Sequence, residues 1–418
     1  MTGKSVHLKK GEGRILRANG FWVYDNEIAS LDENIKDGDL VDIYSNTGFF
    51  MGTGFYNSKS KIRIRLMTRN KDAVIDRAFL KKRVADAWNY RKAVMGEEDS
   101  IGKRDASGKI IEHASCRVVF GEADFLPGIT IDKYSDVLVV ESLALGIDLM
   151  KEDIVDCLKE VLAEDGINIK GVYERSDAKV REKEGLPRVK DFIGDEFDTN
   201  VNIVENGVKY CVDVAEGQKT GFFLDQKYNR LAVRKVCRNA SVLDCCTHTG
   251  AFALNAVAGG ASQVTALDAS EDGIAMAKKN AELNGFTDRM DFLTGDMFEL
   301  LPELYEKGKR YDVVILDPPA FTKSRASIKK AVTGYKEVNM RGMHLVKPGG
   351  FLVTCSCSHF MDPELFADTI GKAAHDAKVV LRQVEFKTQS PDHPIVWADS
   401  DSYYLKFYLF QVLPAFED

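Results

Sequence analysis

The chain has 418 residues, 44% of them hydrophobic, and a formal net charge of −7. That length exceeds one ordinary domain and suits two or three, with apolar residues enough for substantial cores. No apolar run approaches a membrane span, Met1-Thr2-Gly3-Lys4 opens without an apolar leader, and eight scattered cysteines with no Cys-x-x-Cys argue against a disulfide framework or a zinc site. A reducing cytoplasm is the expected compartment.

Charge is spread unevenly. Residues 1–92 carry 18 Lys/Arg against 11 Asp/Glu, and within residues 59–83 the ratio is ten to two. The acidic excess therefore lies in the rest of the chain. A basic module on an acidic body can hold RNA while the body stays soluble. Residues 1–71 alternate apolar and polar positions between glycines (Gly11, Gly13, Gly38, Gly48, Gly52, Gly54), which predicts a small β-rich barrel. In Lys61-Ile62-Arg63-Ile64-Arg65-Leu66 the alternation is strict. Ile62, Ile64 and Leu66 face inward; Lys61, Arg63 and Arg65 line up outside. Such a row either blunts an edge strand against aggregation or, with Lys59, Arg69 and Lys81-Lys82-Arg83 alongside, contacts phosphates. The pattern resembles the PUA domain, an RNA-binding barrel.

Residues 72–198 read as a second region. A helix is expected over 72–95. The hydrophilic stretch 96–113, with Glu97-Glu98-Asp99, Gly102 and Gly108, reads as a mobile loop or insertion. Strands at 117–120 and 137–140, a helix near 151–163 and a strand at 171–173 suggest a compact α+β module without legible chemistry of its own. Residues 201–214 look like a hairpin. Lys219-Thr220-Gly221-Phe222-Phe223-Leu224-Asp225-Gln226 follows, where Gly221 allows a sharp turn. Phe222 and Phe223 suggest a lid or a cofactor wall.

The chemistry concentrates in residues 241–321. Ser241-Val242-Leu243-Asp244 is a short apolar strand ending in a carboxylate, followed by Cys245-Cys246-Thr247-His248-Thr249-Gly250 and a helix. Further strands end on Asp268, lead to Asp296, and run into Asp317-Pro318-Pro319-Ala320-Phe321. Four acids thus stand at the edge where open α/β sheets bind ligands. A dinucleotide site wants Gly-x-Gly-x-x-Gly, but this turn holds one glycine, Gly250, with Asp244 before it. That carboxylate would repel a phosphate and suits a sulfonium nucleoside bearing an ammonium group. Asp268, 18 residues past Gly250, lies near the spacing at which an acid reaches ribose hydroxyls, and Asp296 could accept from an adenine amine. The expected cofactor is S-adenosyl-L-methionine. Beyond Phe321, Thr322-Lys323-Ser324-Arg325 is basic and hydroxylated. A strand at 351–354 runs into Cys355-Ser356-Cys357-Ser358-His359, and two last strands bracket Pro391-Asp392-His393-Pro394.

Four stretches carry a specific resemblance: the segment from Lys219 to Gln226, Asp317-Pro318-Pro319-Ala320-Phe321, Ser356-Cys357-Ser358, and Leu126-Pro127-Gly128. Over essentially its whole length the chain resembles the RlmI-like family of large-subunit (23S) ribosomal RNA cytosine-C5 methyltransferases. The resemblance implies an α/β fold: a Rossmann-like class I methyltransferase domain at 199–418, after a PUA-like barrel at 1–71 and a helix, loop and central α+β domain at 72–198. It places Phe223, Asp225, Gln226, Asp244, Cys245, Gly250, Asp268, Asp296 and Asp317 at the cofactor and reaction edge. The family's cysteine falls on Cys357. Position 320 is alanine where related members can carry lysine, and position 355 is a second cysteine.

Carbon methylation needs such a thiol. C5 of cytosine is a poor nucleophile; a thiolate adding at C6 makes C5 enamine-like. Asp317 would meet the N3/N4 edge and Phe321 would stack on the extruded base. If the strand continues through 357, Cys355 and Cys357 point to one face, and spacing alone does not choose between them. Two other functions stay open at this point. One is a purine (guanine) N-methyltransferase of ribosomal RNA on the same scaffold, which would use Asp-Pro-Pro-aromatic and need no thiol. The other is a non-catalytic RNA-binding protein built on the basic barrel. Ribosomal RNA of the large subunit is the expected partner of the methyltransferase, and a homodimer is one assembly the sequence leaves open.

Overall fold

The computed structural model describes residues 2–322 and 324–415, with backbone alone at Ser400. Met1, Lys323 of the basic loop, and 416–418 lie outside the described residues. The chain forms two compact units. One comprises Met1–Val204, Val212–Leu224 and Pro391–Ser402; the other comprises Glu205–Cys211, Asp225–Ser390 and Tyr403–Asp418. Among the described residues no helix is long and apolar enough to cross a membrane.

In the first unit, six short strands form one sheet in the order Trp22–Tyr24, Ile62–Thr68, Phe50–Tyr56, Leu40–Tyr44, Ser5–Leu8, Ile28–Leu31. The alternating apolar positions, among them Val6, Leu8, Val41, Ile43, Ile64 and Leu66, make its core. Gly52 and Gly54, read from sequence as punctuation, sit inside the strand Phe50–Tyr56. A Cβ on Gly54 would meet the Arg65 carbonyl oxygen at 2.2 Å, so the glycine is there for close strand approach rather than a turn.

The outward row on Ile62–Thr68 differs from expectation. Lys61 is exposed. Arg65 is only 13% exposed and pairs with Glu184 at 3.1 Å and Glu122 at 3.4 Å. Arg63 donates to the carbonyls of Asn57 and Ser58. Chain more than 50 residues distant in sequence covers this face, which alternation cannot reveal.

Behind the helix Arg77–Met95, whose N-cap Asp76 accepts from the Phe79 amide, lies a five-stranded sheet. Val137–Ser142 and Gly171–Ser176 pair in parallel across the helix Lys151–Glu164. Residues 96–113 are not a structureless loop. A short helix, Glu97–Ser100, precedes the hairpin Gly102–Arg104/Ile110–His113. The Asp105 carboxylate closes its turn by accepting from the amides of Ser107 and Lys109.

This sheet also anchors the segment carrying Phe223. The Tyr134 hydroxyl lies 2.9 Å from that of Thr220 and donates to the Phe222 carbonyl. Thr220 donates to Asp132, which Arg117 holds through two bonds of 2.7 and 2.9 Å. All of these residues except Arg117 are buried. The stretch expected to act as a lid is thus tied through its backbone and Thr220 to a buried polar network. Phe223 is half-buried, with the Lys219 ammonium 4.6 Å from its ring centre.

In the second unit seven strands form one sheet. We number them β1 (Ser241–Cys245), β2 (Gln263–Asp268), β3 (Met290–Thr294), β4 (Tyr311–Leu316), β5 (Val346–Ser356), β6 (Val379–Lys387) and β7 (Lys406–Pro414). Their order is β3-β2-β1-β4-β5-β7-β6. β1 to β5 pair in parallel; β7 inserts antiparallel between β5 and β6. The central strands β1 and β4 carry the apolar residues Val242, Leu243, Val313, Val314, Ile315 and Leu316, all fully buried as covering on both faces requires. The order reverses between β1 and β4, and the carboxyl ends of β1 to β5 share the edge beside that switch point.

Candidate active site and its relatives

The turn after β1 is tightly specified. Cys246 (φ 62°), His248 (φ 52°) and Gly250 (φ 84°) alternate in the left-handed region. For the two non-glycine residues this conformation costs of the order of 1 kcal/mol or more each, and such strain clusters at functional sites. The end of β2 holds the turn in place. The Leu267 carbonyl accepts from the Thr247 amide at 2.9 Å, and Asp268 accepts from the His248 amide at 2.7 Å. Gly250 also has the helix Glu271–Asn284 against it: a Cβ there would sit 3.1 Å from that of Ala277.

Asp244 is fully buried. One carboxylate oxygen accepts from the Thr247 hydroxyl (2.6 Å) and the Ala253 amide (2.9 Å). The other, Oδ1, has no hydrogen-bond partner among the described residues, nor does the buried hydroxyl of Thr249 nearby in sequence. Burial pushes the Asp244 carboxyl up to about 7, against the Thr247 hydrogen bond, which pulls it down. A buried acid with an unused oxygen is the receptor a ligand ammonium requires.

The other strand-end acids are placed as follows. Asp268 gives one oxygen to His248 and the other to the Ser270 amide at 2.9 Å. A carboxylate oxygen carries two lone pairs, so both retain capacity for hydroxyl donors. Asp296 is exposed and caps the helix Met297–Glu306 by accepting from Phe298 at 2.7 Å. It therefore has a structural role, as the N-cap of that helix. Asp317, just past β4, accepts from the Gln226 amide at 3.1 Å. Gln226 in turn accepts from Asn229 at 2.6 Å, while Asp225 accepts from the Tyr404 hydroxyl at 2.7 Å. Gln226 is thus brought to the reaction edge, and Asp225 is tied to the segment leading into β7. Cys245 is an interior strand residue, fully buried. Phe321 is half-buried, its ring 4.6 Å from Tyr335 and 6.0 Å from Phe298. Phe223, Lys61, Arg63 and Arg65 belong to the first unit and are described there.

The two thiols at the end of β5 are not equivalent. Cys355 lies inside the strand at 0% exposure, and burial pushes its thiol well up. The strand ends at Ser356, so Cys357 lies just past it, and it is partly exposed. Its neighbours are clamped: the Tyr335 hydroxyl lies 3.0 Å from both the Ser356 and the Ser358 hydroxyls. Lys406, on β7, donates to the Ser358 carbonyl at 2.7 Å. Sequence reasoning missed Tyr335 and Lys406. The one legible signal was a lysine within the apolar run Leu405-Lys406-Phe407-Tyr408-Leu409-Phe410.

Residues 187–410 match the family of S-adenosylmethionine-dependent methyltransferases, and residues 6–69 match the PUA-like domain. Proteins named ribosomal RNA large subunit methyltransferase I are similar along the whole chain. That of Alteromonas mediterranea is 37% identical over 402 residues, 96% of this chain and 97% of its own length. That of Aliivibrio fischeri is 38% identical over 411 residues, 98% and 99% of the two lengths. Among solved structures, a candidate SAM-dependent methyltransferase from Streptococcus mutans shares the fold with a TM-score of 0.78 at 21% identity, covering 97% of this chain and 99% of that one. S-adenosylmethionine is the cofactor, and the unpartnered Asp244 oxygen fits its ammonium. The chain belongs to the ribosomal RNA large subunit methyltransferase I family, an S-adenosylmethionine-dependent methyltransferase domain carried with a PUA-like domain.

Proposed function

We propose that the protein forms 5-methylcytosine in large-subunit ribosomal RNA, in the cytoplasm, with Cys357 as the covalent nucleophile. The observation that carries this reading is the half-exposed Cys357 thiol at the carboxyl edge of the sheet that also bears Asp317, beside a Cys355 that is sealed in the strand. The names of the full-length relatives supply the RNA class. When bound, S-adenosylmethionine supplies an electrophilic methyl group. Asp244 would hold the ammonium end of that cofactor, Asp268 the ribose hydroxyls and Asp296 the adenine amine.

The chain's own groups then carry the reaction on the base. The Cys357 thiolate adds to C6, its electron pair forming the S–C6 bond, and the C5=C6 pair becomes available at C5. Asp317, steadied by Gln226, takes the N3/N4 edge of the cytosine. Phe321 offers a ring face to the extruded base. After C5 is methylated, loss of its proton to a base re-forms C5=C6 and expels Cys357 as thiolate. Residues 1–71 are the RNA-holding domain in this reading, 72–198 the central domain and 199–418 the catalytic one. Lys61 is the phosphate contact of the basic strand. Arg65, already paired, keeps the strand's neighbours in place.

Transfer of a tritiated methyl group to unmodified ribosomal RNA, with the label located by nucleoside digestion, tests the proposal. Label on cytosine C5 is expected; label on a purine nitrogen, or none, rejects it.

A further inference from the structure

Lys406 is 1% exposed and opens the strand β7, ahead of Phe407, Tyr408, Leu409 and Phe410. It is the cross-strand partner of Ser356, and its ammonium donates to the carbonyls of Ser358 (2.7 Å) and Tyr404 (2.8 Å). It therefore brackets Cys357 through the residue on either side. An ammonium has three donors, and carbonyls take two. Among the described residues no carboxylate forms an ion pair with it. A buried cation without an anion is costly, so the fold retains this one against a penalty. The Tyr335 hydroxyl, bridging Ser356 and Ser358, fixes the same three residues from the other side.

We infer that Lys406 is a positioning residue for the nucleophile: its ammonium is the counter-ion that holds the Cys357 thiol ionised near neutral pH. The inference rests on the reading of Cys357 as nucleophile. On ionisation the S–H proton leaves to water, the electron pair stays on sulfur, and Lys406 keeps its three protons. The buried Lys406 and the thiolate then compensate each other's charge. Burial pushes the Lys406 ammonium down to about 8, and the negative charges of Cys357 and Asp362 pull it back up. Coupling is reciprocal, so an ammonium supported by the thiolate supports the thiolate equally.

Other titratable groups surround the pair. Tyr335, from the helix Ile328–Leu345, is pushed by burial to about 12 and stays a neutral hydroxyl. Asp362 caps the helix Pro363–Asp376, accepting from Leu365 at 2.8 Å. Asp317 closes β4, Cys355 lies on β5, and His359 follows Ser358. The acids oppose the thiolate, and Lys406 is the buried cation among these groups.

Alkylation of the full chain by iodoacetamide, followed at Cys357 by peptide mass spectrometry from about pH 5.5 to 9.5, tests the inference. The wild-type half-point is expected below the ordinary cysteine value of about 8.5. Lys406→Met should raise it by about one unit or more, lowering the alkylation rate at about pH 6.5 roughly tenfold. Lys406→Arg, which keeps the charge, should hold the half-point below about 8.5. Binding of S-adenosylmethionine by each variant reports an intact fold. A wild-type half-point at or above about 8.5 overturns the inference without any variant. So does a Lys406→Met profile superimposed on wild type in protein that binds the cofactor. Alkylation involves no RNA, so failure of the nucleophile reading shows separately, as methyl transfer that persists in Cys357→Ala.

Discussion

The basic strand Ile62–Thr68 and the acidic edge of β1 to β4 each line up charges of one sign, yet they are built in opposite ways. Arg65 already has two carboxylates, Glu184 and Glu122, and Arg63 has two backbone carbonyls. Asp244, by contrast, is buried with an oxygen that none of the described residues satisfies. A charge whose partners are supplied by the fold holds the fold; a buried charge with spare capacity is kept for a ligand. A row of like charges in a sequence does not distinguish these cases, because the partner residues are far away along the chain.

The sharpest way to break this comparison is at the two thiols. Cys357→Ala is expected to lower methyl transfer by about 10³-fold or more while cofactor binding persists, whereas Cys355→Ala should stay within about tenfold of wild type. With 5-fluorocytosine in the RNA, wild type should accumulate a covalent adduct and Cys357→Ala none, since fluorine blocks the proton loss that frees the enzyme. An adduct lost in Cys355→Ala instead would reverse the assignment.

Next in size is the cofactor edge. Asp244→Asn removes the charge proposed to meet the ammonium, with an expected loss of about 1.5–3 kcal/mol for a charge-assisted bond, or roughly 10- to 150-fold in S-adenosylmethionine affinity by calorimetry. Asp268→Ala should cost about tenfold or more by the same measurement, because ribose donors and the His248 amide both lose an acceptor. An unchanged affinity in either variant would remove that residue from the cofactor site.

The Asp244 carboxyl also sets a pH dependence. With its value raised to about 7, the free protein carries it largely protonated at about pH 6 and ionised at about pH 8. Binding a cation favours the ionised form, so affinity should rise with pH up to about 7 and then level off with respect to this group. Calorimetry at about pH 6 in two buffers of different ionisation enthalpy should register proton release on binding, absent in Asp244→Asn.

The smallest effects belong to the basic strand and sharpen the comparison from its other side. Lys61→Glu should weaken RNA binding modestly and lower the salt slope by about one. Arg65→Met should act on stability, by about 1.5–3 kcal/mol in a denaturant melt, since Glu184 and Glu122 lose their cationic partner. If Arg65→Met instead leaves stability unchanged and flattens the salt slope, the arginine is an RNA contact after all.

Much of the architecture was written locally. Strand alternation in residues 61–66, the apolar runs of β1, β2 and β4, and an acid at or just past the end of each strand from β1 to β4 follow from periods of two and from burial on both faces of a parallel sheet. These are neighbour-scale properties, so the order of residues carries them, and the single-glycine turn around Gly250 already distinguished the cofactor class. Tertiary structure decided what depends on residues remote in the chain. It sealed Cys355 and left Cys357 half-exposed because β5 ends between them. It put Gly54 beneath a neighbouring strand's carbonyl, turned residues 102–113 into a hairpin, and tied Thr220 to Asp132 and Tyr134. It also brought Lys406 to the carbonyl of Ser358, 48 residues earlier. Periodicity tells a side chain which face it occupies; only packing of the folded chain supplies the partner across from it.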